Sequence, residues 1–248
     1  MIPNPIRKVL SSMRAHRVRA LLMGGQACVL YGAAEFSRDT DFALLAEAAN
    51  LIRLRRALAD LRAEPIAVPP FEVKYLRKGH AIHFRCQHPE ALRMRIHVMS
   101  YMRGVKPFDT LWRQRSVVEL ADGIICDILS LPDLVQAKKT QHDKDWPMIR
   151  RLLEAHYFQH QKKPTLKQFK FWFQELRTPS LLVELARKHS DLCRQFISKR
   201  PLLRFAAVGS SAELERALLT EESTERELDK AYWDPLRREL EQLRHYRG

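Results

Sequence analysis

A chain of 248 residues with 46% hydrophobic side chains can build one large domain or two small ones around a real core, which excludes a disordered or fibrous protein. Its 43 Lys and Arg against 29 Asp and Glu give a formal net charge of +14, a balance that favours a polyanionic partner such as RNA, DNA or a nucleoside triphosphate. The four cysteines, Cys28, Cys86, Cys126 and Cys193, form no CxxC pair, the amino terminus lacks a hydrophobic signal core, and no run of about 18 apolar residues occurs; the expectation is a reduced, cytoplasmic protein without a membrane span.

In chain order, Asn4-Pro5 reads as a helix cap and first turn, with Ile6, Val9, Leu10 and Met13 at helical spacing up to His16. Val18 to Met23 is a short apolar run stopped by Gly24-Gly25, which predicts a buried strand entering a tight turn, and Gln26 to Ala34 is helical. Asp39 to Leu45 reads as a strand and Ala48 to Ala63 as an amphipathic helix. Glu64 to Gly79, with Pro65, Pro69 and Pro70, predicts a loop holding a short element at most. Strands are expected over 81–86 and 94–99, a short helix over 108–115, and a hairpin from 117–120 and 124–128 around Ala121-Asp122-Gly123.

Beyond Leu131 every segment is helical in character, broken at Pro164, Pro179, Pro201 and Gly209-Ser210-Ser211. The fold class expected is therefore α/β (α+β), a mixed sheet flanked by helices and followed by an all-helical region. The domain boundary falls near residue 130, giving 1–130 and 131–248. No internal repeat is present.

Two carboxylates two apart on a strand share a face, so Asp39 and Asp41 can converge on hard divalent cations while Thr40 faces the core. Such a pair suits two-metal phosphoryl chemistry, with cations roughly 4 Å apart serving the attacking and leaving oxygens. Upstream, Gly24-Gly25 ends a strand and opens a helix, so backbone N–H groups can approach a phosphate with no side chain in the way. An Asp-x-Asp alone is most often two solvated carboxylates; here it follows a strand–Gly-Gly–helix unit that brings both ends to one sheet edge.

Met23-Gly-Gly-Gln-Ala27, Tyr31-Gly32 and Ser37-Arg-Asp-Thr-Asp-Phe42 together resemble the signature of polymerase-β-type nucleotidyltransferases, closest to the AbiEii-like toxin group. The resemblance covers residues 18 to 160. It implies a nucleotidyltransferase fold, Mg²⁺ or Mn²⁺ on Asp39 and Asp41, an NTP held by Gly24, Gly25 and Ser37, transfer of an NMP to an RNA or protein hydroxyl, and an antitoxin protein as partner. Ser37 stands where the group has Thr, and Glu35 where it has Arg, which removes a cation near the phosphates.

The superfamily's third carboxylate lies on a later strand in a context like Ile96-His97-Val98-Met99, so His97 occupies that slot. A neutral imidazole is a poor Mg²⁺ ligand, better tolerated by Mn²⁺, and supplies no negative charge. Whether the chain is an enzyme therefore stays open, and a half-buried histidine satisfied by a neighbour is as plain a reading of His97 as a catalytic one. Glu72 is the nearest substitute carboxylate. The resemblance also implies that Lys138, or Lys139 about 100° round the helix, reaches the triphosphate, and that Lys144-Asp145 matches the group's Lys-Asp pair; Asp145 reads equally as an N-cap before Trp146-Pro147. Met148 stands where the group has a later Asp.

His80, His83, Cys86 and His88 are a rival zinc cluster, disfavoured because His83 and Cys86 point to opposite sides of one strand. The aromatics mixed with Lys and Arg from Phe169 to Arg238 read mainly as core, with a basic helical surface suited to RNA, tRNA included. Two hypotheses follow: an NTP-dependent transferase, or a degenerate relative that binds nucleic acid or a protein partner.

Overall fold

The computed structural model describes residues 4–34, 37–120 and 123–245. The chain divides into two compact units, residues 1–137 together with 231–248, and residues 138–230.

The first unit opens with α1, Asn4–Ala15, whose Ile6, Val9, Leu10 and Met13 form one buried stripe. Arg17 turns the chain in the left-handed region, φ 53°, and leads to β1, Ala20–Met23, buried at every position as a central strand must be. There follow α2, Gly24–Leu30; β2, Asp39–Leu44; and α3, Ala48–Asp60. The proline-rich stretch after α3 holds two short elements, β3, Glu64–Pro65, and α4, Val73–Lys78. Next come β4, Ile82–Arg85, β5, Arg95–Met99, α5, Phe108–Gln114, the strands β6, Ser116–Glu119, and β7, Ile125–Ile128, and finally α6, Leu131–Ala137. The expected hairpin is present; its Ala121 and Asp122 lie outside the described residues.

The strands form one mixed sheet in the order β3-β4-β5-β2-β1-β7-β6. β1 pairs antiparallel with β2 and parallel with β7, and β2 pairs parallel with β5. Alternation sends Phe42, Ile96, Val98, Ile82 and Phe84 into a core shared with α1 and α3, where the Ser12 hydroxyl donates to the Ala57 carbonyl at 3.0 Å. The opposite side of the same strands carries the polar residues of interest.

The second unit is helical, with α7, Asp145–His160, α8, Leu166–Glu175, α9, Pro179–Lys188, α10, Ser190–Ile197, α11, Leu203–Ala207, and the first part of α12, Ser211–His245. Thr165 and Gln168 close a capping box on α8. In its core Arg200, 5% exposed, donates to both Glu221 carboxylate oxygens and to the carbonyls of Phe173 and Leu176. The protein is thus mixed α/β with a helical carboxy-terminal region.

The boundary expected near residue 130 differs from the division observed. α6 packs against α2, so the break falls after Ala137. Residues from Ala231 return to the sheet unit because Glu239 pairs with Lys78 at 2.5 Å and with the buried His80 at 2.8 Å. Between those two residues Gly79, at φ +100°, passes so close to Tyr232 that a Cβ would lie 2.4 Å from its hydroxyl.

Candidate functional site

β1 runs straight into the Gly24-Gly25 turn, and the turn is packed against the start of β2. Gly24 adopts φ +64°, and a Cβ there would lie 1.9 Å from Asp41 Oδ2. A Cβ on Gly25 would lie 2.4 Å from Ser37 Oγ. A Cβ at either position would force the facing side chain to move, and at Gly24 the left-handed backbone adds strain of its own. Buried Gln26 holds the arrangement by donating from Nε2 to the Ser37 carbonyl at 2.7 Å, and the Ser37 hydroxyl donates to the Asp39 carbonyl at 3.3 Å.

Strand register lines up Met23, Asp41, His97 and His83 across β1, β2, β5 and β4. In-register neighbours on adjacent strands project to the same face, so the carboxylate and both imidazoles stand side by side. His97 Nδ1 lies 2.8 Å from Asp41 Oδ1, with both side chains a little over a fifth exposed. The His83 and His97 rings meet edge to face with centroids 4.5 Å apart. Burial, then the neighbouring His97, lowers the His83 pKa to about 4, against the opposing pull of Asp41 and Asp39; His83 is neutral at pH 7. One row along, Asp39 is in register with Arg95 and Arg95 with Arg85. Thr40, between the two aspartates, is fully buried on the core side.

The Asp39–Asp41 pair, the Gly-Gly turn, Ser37 and His97 are thus brought together. Glu35 lies outside the described residues. Glu72 does not take the third carboxylate's place: it pairs with Lys74 at 2.8 Å ahead of α4. The second unit holds the lysines. Lys138 Nζ donates to Asp145 Oδ1 at 2.6 Å, while the Thr140 hydroxyl donates to Oδ2 at 2.6 Å. Lys139 pairs with Glu175 at 2.8 Å, and Lys144 is exposed at the cap of α7. Asp145 is therefore not an N-cap but the first residue of α7, buried and neutralised by Lys138.

The four residues of the rival zinc cluster go to separate places. His80 pairs with Glu239, Cys86 is buried with its thiol pushed up to about 11 by desolvation, and His88 Nδ1 accepts from the Glu90 N–H. His83 joins the carboxylates instead. Its role was missed because the neighbour that matters, His97, is brought by antiparallel pairing; the Arg95-x-His97 and His83-x-Arg85 alternation in two adjacent strands was the available signal.

Among the described residues no group of three or more His, Cys, Asp or Glu is arranged as a metal site. Asp39 and Asp41 on one face offer oxygen donors of the kind a divalent cation needs, and His97 adds a nitrogen that suits Mn²⁺ better than Mg²⁺. No protein-family model matches this sequence, and no curated protein matches it. No helix among the described residues is long and apolar enough to cross a membrane.

Proposed function

We propose that the chain is a polymerase-β-type nucleotidyltransferase, similar to the AbiEii-like group, that moves an NMP from an NTP to an RNA or protein hydroxyl. The observation that carries this reading is the turn against the carboxylate: Gly24 leaves no room for a Cβ beside Asp41 Oδ2, an approach that the motif would need for a phosphate to reach the aspartates. A divalent cation held by Asp39 and Asp41, Mg²⁺ or Mn²⁺, would neutralise the triphosphate and its leaving pyrophosphate. Gly24 and Gly25 offer backbone N–H groups to the phosphates, and Arg95, in register with Asp39, supplies the cation missing at position 35. With Nδ1–H of His97 donating to Asp41, its Nε2 is the free acceptor and can take the proton of the incoming hydroxyl. A part for Lys138 requires it to leave Asp145.

Incubation with labelled NTPs, Mn²⁺ or Mg²⁺ and total RNA tests the reading. Label should reach RNA or protein with wild type and fall at least about 100-fold in Asp41→Ala, the scale of a lost electrostatic stabiliser; equal labelling by both ends it. The toxin–antitoxin setting rests on the resemblance alone.

One observation favours a second reading, a catalytically degenerate module that binds nucleic acid or a partner. His97 not only replaces a carboxylate but occupies one oxygen of Asp41. A silent wild type with activity restored in His97→Asp supports it, and robust wild-type turnover removes it.

A further inference from the structure

At the other end of β1 from the Gly-Gly turn, a cavity of about 520 Å³ opens in the sheet unit, within the range of small-ligand pockets. Five arginines line it: Arg14 from α1, Arg17 and Arg19 from the link into β1, Arg53 from α3, and Arg115 after α5. Asp127 is the one carboxylate in the lining and is taken by Arg115 Nε at 2.5 Å. Among the described residues no carboxylate lies within ion-pair distance of Arg14, Arg17 or Arg53, so three guanidiniums are uncompensated.

Several of these groups are held in place. The Trp112 ring has Arg115 4.3 Å and Arg19 5.1 Å from its centroid, which holds both guanidiniums at the cleft; Arg115 also donates to the Trp112 carbonyl at 2.7 Å, and Arg19 pairs with Asp109 at 3.5 Å. Asn50 anchors the Arg19 backbone by accepting from its N–H at 2.7 Å and donating to its carbonyl at 3.0 Å. Arg17 keeps a positive φ that costs a side-chain-bearing residue. Arg53 donates to the Arg17 carbonyl at 3.4 Å and Arg14 to the Ile125 carbonyl at 3.1 Å. On the strand side the rim is apolar, with Val117 and Ile125 exposed at 57% and 37%.

We infer that this cleft is a binding site for a nucleoside polyphosphate, separate from the Asp39–Asp41 site. Arginine forks match phosphate oxygens, and three arginines without a carboxylate partner, Arg14, Arg17 and Arg53, beside the paired Arg19 and Arg115, call for more than one phosphate. The apolar rim covers a base and ribose, which inorganic polyphosphate lacks. A concave pocket of this size suits a small molecule better than a nucleic-acid backbone.

Titration calorimetry with ATP, tripolyphosphate and a 12-nucleotide RNA tests it on two preparations that silence the carboxylate site. One is the full chain with both Asp39 and Asp41 changed to Ala; the other is wild type in excess chelator. ATP should bind both, and Arg17→Gln with Arg53→Gln should weaken it at least about tenfold, the loss of one or more charge-assisted hydrogen bonds. The thermal midpoint of that double variant should not move, because both side chains are exposed. An ATP affinity unchanged by the double variant, tripolyphosphate binding as tightly as ATP, or RNA binding more tightly than ATP through the same arginines overturns the inference. These outcomes are independent of transfer activity.

Discussion

Each unit of the protein contains a pair of histidines in ring contact, and the two pairs differ in what they end on. In the sheet unit His83 and His97 meet with centroids 4.5 Å apart, and His97 reaches the Asp41 carboxylate. In the helical unit His156 and His160 meet at 4.4 Å, but His156 Nδ1 accepts from the Trp172 indole N–H at 2.9 Å and His160 Nδ1 donates to the His156 carbonyl at 3.0 Å. Burial, then the partner ring, lowers one pKa in each pair to about 4. A perturbed histidine is therefore no mark of a site by itself. The second pair is closed by neutral core groups, whereas the first ends on a part-exposed carboxylate beside a turn with no side chains.

If that contrast is right, the greatest damage comes from closing the open side of Asp41. Gly24→Ala combines a left-handed backbone with a Cβ 1.9 Å from the carboxylate, and should cost roughly 3 kcal/mol in urea unfolding as well as any NTP binding. A loss under about 1 kcal/mol would mean that the turn relaxes and that Asp41 is not confined by Gly24.

His156→Leu should cost about 1–3 kcal/mol, because it leaves the buried Trp172 N–H without its acceptor. Transfer activity should be untouched. A selective fall in activity at unchanged stability would erase the distinction between the pairs.

The pH dependence comes next in size. Both His83 and His156 have folded-state pKa values near 4 against 6.5 unfolded, so between those values the unfolded chain binds more protons. Stability is then full above pH 6.5 and declines as pH falls towards 4. Chemical denaturation across that window should show the decline in wild type and a shallower one in His156→Leu; identical slopes would exclude His156 as a contributor.

The smallest effect is expected for His83→Phe. The half-buried ring is already neutral, so at pH 7 the change should stay below about 1.5 kcal/mol, as for a shape-conserving swap. Its own share of the acid decline should disappear, which near-neutral to acid titration of the variant would reveal.

The elements that could be read from local pattern were those with a strong period and clear punctuation. Ile6, Val9, Leu10 and Met13 trace a helix stripe, and the apolar run before Gly24-Gly25 a strand, because 3.6- and 2-residue repeats and glycine stops are properties of adjacent residues. The same locality exposed Asp39 and Asp41 as a same-face pair, while His97 joined the candidate set only through the resemblance to nucleotidyltransferases. Hidden from it were His83 and Arg95, whose neighbours are chosen by strand register. Equally hidden was the arginine cleft, whose five cations come from α1, α3, the link into β1 and the end of α5. Asp145 was misread for the same reason: the lysine that neutralises it lies seven residues earlier, across a turn whose shape the pattern does not specify.

By itself the sequence determined the mixed α/β class, the helical character beyond residue 131, and the same-face placement of Asp39 and Asp41, all consequences of short-range periodicity and burial. Tertiary structure alone decided that Gly24 presses on Asp41, that His97 takes one of its oxygens while His83 backs it, and that residues from Ala231 onward rejoin the sheet unit. Those are contacts between segments far apart in the chain, set by which strands pair and in what register, and no local propensity encodes them.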